Sequence, residues 1–406
     1  MILRNAMLLL AASAMPAWAA EPDSLTMPHG FHATVIAEGV GPARHLAIRE
    51  NGDIYISTRP GRDTAPVGII ALRLDRDHKV VETEHFSTVS GGTGIRFYGH
   101  ALYASSPTSV YRFDFNKDEL VPSAAPQLVV DGMPAAGFPS RGIVFDGKGG
   151  LYVTVGAASN ICLDPAAPKS APPAGLKPCP SLAERSGVWR FDAERLNQKF
   201  PSDGEQIATG LRDMMAVDWS KKFHGFYGVM QGRNDHIDTV SEELHRIDKG
   251  TNLGWPYSYY DTALQSRVLA SEYGGDGKAP AQGDFDVPLA ALPAHQSPLD
   301  LLFYDGKQFP ASYQNGAFIA YHGGAGAPMA EGHRGYDVVF LPFGSDGKPG
   351  QPQSFIEGFA GPEPGDRNPA KAAYRPTGEA VGPDGSLYVV DGQKGRLWRI
   401  SYDGKD

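Results

Sequence analysis

A chain of 406 residues with a net charge of −9 is long enough for one to three domains, and its acidic balance leaves no basic footprint for nucleic acid. Its 49 glycines and 33 prolines, with few apolar runs of helical period, exclude a mainly helical architecture in favour of short strands and turns. No apolar run reaches the roughly 18 residues that a spanning helix requires, so no membrane span is expected.

Residues 1–20, MILRNAMLLLAASAMPAWAA, combine one basic residue, Arg4, an apolar stretch and small residues at Ala17 and Ala19. That pattern predicts a secretory signal peptide cut near Ala19 or Ala20 rather than a buried N-terminal helix. The mature chain, 21–406, is then a single domain, periplasmic or secreted. Losing Arg4 takes the charge from −9 to about −10. No cysteine follows the apolar stretch, so there is no handle for lipid attachment.

After an alternating segment at Phe31–Glu38, one unit recurs: a short apolar run, a glycine-containing turn and an alternating run with a central aromatic. It is seen at Arg44–Ser57, Gly94–Phe115, Arg141–Val155 with Gly187–Asp192, Ile207–Ile247, Leu299–Phe343 and Pro376–Tyr402. Alternation of period two with Gly, Asp and Asn turns is the signature of strands and hairpins. The repeated endings VYRFDF, GVWRFD, ELHRI and LWRISY mark the same outer strand in successive units. Six units predict an all-β, six-bladed β-propeller, with Phe31–Glu38 closing the ring as an outer strand of the last blade. Two packed sandwiches, the rival, leave the repeated GxLY-type turn unexplained.

Cys162 and Cys179 are the only cysteines, 17 positions apart in a Pro/Ala-rich insertion, and in an oxidising compartment they are expected to staple that loop. No C-x-x-C-H is present, so the chain attaches no c-type haem of its own. In a propeller the loops leading into the innermost strands gather at one end of the channel, and Arg44, Arg141, Arg212 and Arg375 fall there. Converging guanidinium groups repel unless an anion or carboxylates meet them, which points to a ligand bearing several carboxylates. The stretch Asn234–Glu243 adds oxygen donors, Asn234, Asp235, Asp238, Glu242 and Glu243, that suit calcium or form a solvated acidic turn.

Five segments carry a resemblance: GLRDMMAVDW at Gly210–Trp219, GRNDHID at Gly232–Asp238, EELHRIDKGTNLGWP at Glu242–Pro256, AHQSPLDLLFYDG at Ala294–Gly306, and RPTGEAVGPDGSLYVVDGQKGRLWRISY from Arg375. In this order they resemble the soluble glucose/sorbosone dehydrogenases that use pyrroloquinoline quinone (PQQ), including the pyranose-dehydrogenase relatives. The resemblance implies PQQ and calcium as cofactors, and hydride transfer from an aldose or sugar aldehyde. A separate electron acceptor, such as a quinone or cytochrome, would follow. It places Arg212 at the cofactor carbonyl, Arg375 near the cofactor carboxylates, and the calcium loop at Arg233, Asn234 and Asp235, where backbone oxygens can also ligate. Arg44, Arg141, Arg233 and Asn234 join the cofactor-binding set.

Two departures follow. The family's general-base histidine precedes the arginine that opens the third unit, where this chain has Gly137 and Phe138 before Arg141. After His322 the chain reads HGGAGAPMAEGHRGY where relatives place Ser, Trp and Asn or Arg; His333 and Arg334 could supply other contacts. A phenyl ring accepts no proton, so His295, Asp213 or another loop group is expected to serve as base. A calcium-dependent lactonase or other hydrolase, and a non-catalytic carbohydrate-binding propeller, stay open as alternatives.

Overall fold

The computed structural model describes residues 25–60, 68–164, 166, 173–234, 238–324 and 334–404. The expected signal segment lies outside them. Six blades, each built on four antiparallel strands, surround a channel; blades two and three each add a two-residue parallel strand at the outer edge, Gln198–Lys199 and Thr251–Asn252. Their innermost strands are Ala43–Ile48, Ile95–Tyr98, Ile143–Phe145, Ala216–Ser220, Pro298–Phe303 and Pro376–Val381. Each turns back into a second strand, Ile54–Thr58, Ala101–Ser105, Gly150–Val155, Gly225–Met230, Gly316–Tyr321 or Leu387–Asp391, where the recurrent glycine-and-aromatic element lies. Phe31–Ala37 pairs antiparallel with Leu397–Tyr402 and supplies the sixth blade's outermost strand, as expected. Phe31 fixes this closure by edge contacts with Phe309 at 4.8 Å and Phe355 at 5.0 Å.

The repeated R-containing endings are third strands rather than outermost ones; Arg112 of VYRFDF pairs with Asp114 and Glu194 and Arg246 of ELHRI with Asp248, while in three blades the third-strand arginine has a common kind of partner. Arg73 pairs with Asp53 at 2.7 Å, Arg399 with Asp384 at 2.5 Å, and Arg190 with Asp146 at 3.7 Å. In each case the third strand is braced to the turn between strands one and two of its own blade. The fourth strands are less alike, because they face solvent and take up insertions.

The apolar core is divided among the blade interfaces. One cluster joins blades five and six through Phe318, Phe340, Val389 and Trp398. Another joins blades three and four through Val188, Met214, Val217 and Phe226. Apolar burial therefore holds blade to blade around the ring, while hydrogen-bonded ladders hold strand to strand within each blade.

Charge also lines the channel. Asp300, on the inner strand of blade five and fully buried, accepts from Arg96 Nη2 at 3.1 Å and from the Glu379 backbone N–H at 2.9 Å. His45 Nε2 stands 3.7 Å away and bonds the Leu299 carbonyl at 2.6 Å. One carboxylate thus links the inner strands of blades one, two, five and six.

Candidate functional site

Strand direction decides which loops share an end of the channel. Inner strands run from one end to the other, so loops entering them lie at the same end as loops joining second strands to third. That end, the mouth, therefore collects Arg44, Arg59, Phe138, Arg141, Asn160, Arg212, Asp213, Arg233, Asn234, His295, His322 and Arg375. A cavity of about 270 Å³ lies at the opposite end, among Arg96, Asp218, Phe223 and Glu379, and is separate from this cluster.

Asp213 is the centre of the mouth's charge. It is buried, and its carboxylate lies in the fields of Arg212, Arg44 and Arg141. Burial pushes its pKa up, while those three guanidinium groups oppose the rise. Its Oδ1 has no hydrogen-bond partner among the described residues. Arg44 and Arg141 are both pulled below the usual arginine range, first by burial and then by neighbouring cations, Arg59 and Arg375 for Arg44 and Arg185 for Arg141. One carboxylate therefore meets an excess of positive charge.

Arg212 is held on three sides. Its Nε donates to Asn160 Oδ1 at 2.9 Å, its Nη1 approaches the Gln231 carbonyl at 3.5 Å, and its guanidinium lies 4.3 Å from the centre of the Phe138 ring. Phe138, standing where a base was expected, is thus a stacking platform for the arginine. The ring is backed by Gly156, where an added Cβ would sit 2.7 Å from Phe138 Cβ.

Asn160, absent from the sequence-derived set, connects the predicted parts. Its side-chain oxygen also accepts from the Asn234 backbone N–H at 2.9 Å, and its carbonyl accepts from Trp255 Nε1 at 2.9 Å. It lies two residues before Cys162, which is disulfide-bonded to Cys179 as expected. Closing a loop of that length stabilises a fold by about 3 kcal/mol. The double variant Cys162→Ser/Cys179→Ser is accordingly expected to lower thermal stability and to loosen Asn160. Equal melting curves for variant and wild type would show that the staple adds nothing.

Other sequence-assigned residues take different places. Arg141 is fully buried and donates to the carbonyls of Pro107 at 3.1 Å, Phe138 at 2.9 Å, Ser140 at 3.0 Å and Pro134 at 2.5 Å. It holds the mouth's loops together and presents no exposed donor to a cofactor. Arg233 is committed end-on to Glu272 through Nη1 and Nη2, with contacts of 3.1 and 2.5 Å, so that the tip of its guanidinium faces a carboxylate rather than a ligand. Asn234 is exposed, and Asp235 and His333 lie outside the described residues. Among the described residues no group of three or more His, Cys, Asp or Glu side chains could hold a metal. Glu243, proposed as an oxygen donor, is instead buried against Arg267 at 2.6 Å and His245 at 2.9 Å.

Glu242 serves the site from beneath. It accepts from the Gly232 N–H at 2.7 Å and the Ser297 N–H at 3.1 Å, tying the Asn234 loop to the His295 loop. Burial pushes its carboxyl up to about 7. His295 has φ 62°, and its Nε2 stands 3.7 Å from Asp238 Oδ1, beyond hydrogen-bond reach. Arg375 donates to the carbonyls of His322 at 2.9 Å and Gly323 at 2.5 Å.

A family profile described as TrAA12-like matches residues 25–274 and 281–403. The calcium structure of the Trichoderma reesei carbohydrate-active enzymes family AA12 protein matches with a TM-score of 0.76 at 18% identity, covering 95% of this chain and 98% of that one. The holo form of the pyranose dehydrogenase PQQ domain from Coprinopsis cinerea matches at 0.71 and 18% identity, covering 94% and 98%. The apo form of the soluble aldose sugar dehydrogenase from Escherichia coli matches at 0.61 and 15% identity, covering 92% and 100%. At these identities the structural likeness speaks for the fold.

Proposed function

Because the chain belongs to the TrAA12-like family, we propose that it is a sugar oxidoreductase that binds PQQ and calcium at the channel mouth and oxidises an aldose or sugar aldehyde. The observation that carries this reading is the excess of guanidinium groups around the single carboxylate of Asp213. A tricarboxylate such as PQQ fits that excess, and Arg44, Arg212 and Arg375 are the residues that would hold it. Calcium would take oxygens of the Arg233–Asp235 loop, as the family resemblance implies.

When bound, PQQ supplies the two-electron acceptor. The protein's part is alignment, charge and proton handling. Arg212, fixed by Asn160 and Phe138, offers preorganised positive charge where an oxyanion develops. Asp213 is the weaker base candidate, because three guanidinium groups oppose its protonation. His295 is the stronger candidate by its chemistry, since an imidazole can act as a base and its Nε2, buried beneath the mouth, has no hydrogen-bond partner among the described residues; a substrate would reach it only with a shift of its loop. The disulfide is consistent with a periplasmic or secreted protein whose residues 1–20 are removed. Reoxidation would fall to a separate quinone or cytochrome.

Titration of PQQ into calcium-loaded protein is expected to give saturable binding near one per chain, weakened by chelation, with sugar-dependent reduction of an artificial acceptor. Absence of PQQ binding would overturn the quinoprotein reading. Binding without turnover of any sugar or aldehyde would favour a non-catalytic carbohydrate-binding propeller, and lactone hydrolysis without PQQ a calcium-dependent hydrolase.

A further inference from the structure

His322 was only a landmark in the sequence, yet it lies in the field of three arginines at the mouth. It follows directly on the second strand of blade five, with its backbone N–H bonded to the Ser297 carbonyl at 3.0 Å. Its Nδ1 is 3.1 Å from the carbonyl oxygen of Pro376, the first residue of the inner strand of blade six. A carbonyl only accepts, so Nδ1 carries the hydrogen and the lone pair is left on Nε2, on the side of the ring away from Pro376.

Three cations face this ring: Arg375 from the loop entering blade six, Arg44 from the inner strand of blade one, and Arg59 from the loop after that blade's second strand. Arg375 is also clamped to the carbonyls of His322 and Gly323, with Tyr336 5.5 Å from its guanidinium. The neighbouring carboxylates serve other groups. Asp391 accepts the Arg375 N–H, and Asp213 lies among Arg212, Arg44 and Arg141.

We propose that His322, with Arg44, Arg59 and Arg375, forms a seat for the carboxylates of the bound cofactor, and that His322 takes up one proton at Nε2 as the anion binds. The inference rests on the quinoprotein reading only for the identity of the anion. Without an anion, burial and the three arginines hold the ring well below its ordinary 6.5, hence neutral. A lone pair there repels a carboxylate. Anionic charge placed beside the arginines cancels their field, and the protonated Nε2 then donates to a carboxylate oxygen in a charge-assisted hydrogen bond.

Binding linked to uptake of one proton weakens about tenfold for each pH unit between the free-state and bound-state pKa values. Isothermal titration of PQQ into the calcium-loaded protein, in buffers of different ionisation enthalpy at pH 7, should show uptake near one proton in the wild type. His322→Asn keeps an N–H donor for the Pro376 carbonyl and should bind PQQ without proton uptake and with a flatter pH dependence. Nitrogen NMR of the wild-type imidazole, independent of any variant, should move from the neutral Nδ1–H form to imidazolium on binding. Equal uptake in wild type and variant, or a ring that stays neutral in the complex, overturns the proposal. Citrate provides a second arm. If it binds with His322-dependent uptake while PQQ does not bind, the anion seat stands and the quinoprotein reading falls; if neither anion binds, the seat is overturned.

Discussion

Replacing Arg212 with alanine is expected to abolish PQQ binding at micromolar concentrations and to lower sugar-dependent turnover by about 10²–10³-fold or more, the scale on which loss of one preorganised oxyanion donor acts. The loss is local in origin and wide in consequence. Asn160 Oδ1 loses the Nε donor that holds it against both the Asn234 loop and the arginine. The Phe138 ring loses its cation, and Asp213 is left with Arg44 and Arg141 alone. Lysine at the same place restores the charge without the planar fork, so Arg212→Lys should recover part of the cofactor affinity and little of the turnover. Cofactor titration, circular dichroism and single-turnover reduction separate these effects. An Arg212→Ala protein that is folded and binds PQQ as wild type does would move the cofactor away from this mouth.

The ring of blades was readable because its physics repeats. Period-two alternation and a glycine turn recur in every unit, and Phe31–Glu38 had the alternation needed to close the ring. What repeats through pairing was visible only as a pattern: the arginines of VWRF and LWRI were legible, but their partners Asp146 and Asp384 lie on another turn of the same blade, and Arg112 of VYRF reaches Glu194 in the next blade. The convergence of Arg44, Arg141, Arg212 and Arg375 was also legible, from their common position ahead of inner strands. Their division of labour was not. Arg141 is satisfied by backbone carbonyls, which leave no trace in composition, and Arg233 is taken by Glu272, some forty residues on. Asn160 and His322 carried a usable signal. Strand parity puts every loop between a second and third strand at the mouth, and a disulfide-stapled insertion there is placed to present side chains to it. The Phe138 departure was seen as a missing base, whereas its role as a platform under Arg212 depends on a fold that brings blades three and four together.

The second large effect is expected in the channel, where two neighbouring carboxyl groups should respond in opposite directions. Asp300→Ala removes the acceptor of Arg96, of the Glu379 N–H and of the Leu301 N–H at once, taking a fully buried carboxylate away from a partly buried guanidinium. Breaking a buried pair in this way costs about 3–5 kcal/mol, so the melting temperature should fall at every pH. Glu379 is also fully buried, but neither of its carboxyl oxygens has a hydrogen-bond partner among the described residues. Burial, with Asp300 and Asp218 nearby, raises its pKa well above 4.5 in the folded protein. The native state therefore keeps a proton that the unfolded chain releases near 4.5, and stability is full below that pH and declines as pH rises towards the folded-state pKa. Asp218, pushed up to about 7 by burial, adds to the same decline. Glu379→Gln supplies the neutral form permanently, so its melting temperature should match wild type at pH 4.5 and exceed it at pH 8. Buried His45, lowered to about 4, and His322, held well below 6.5, contribute the opposite slope below pH 6.5, so the difference between the two proteins decides the matter: a glutamine variant whose melting temperature runs parallel to wild type from pH 4.5 to 8 would mean that Glu379 is ionised in the folded channel and has found a counter-charge there.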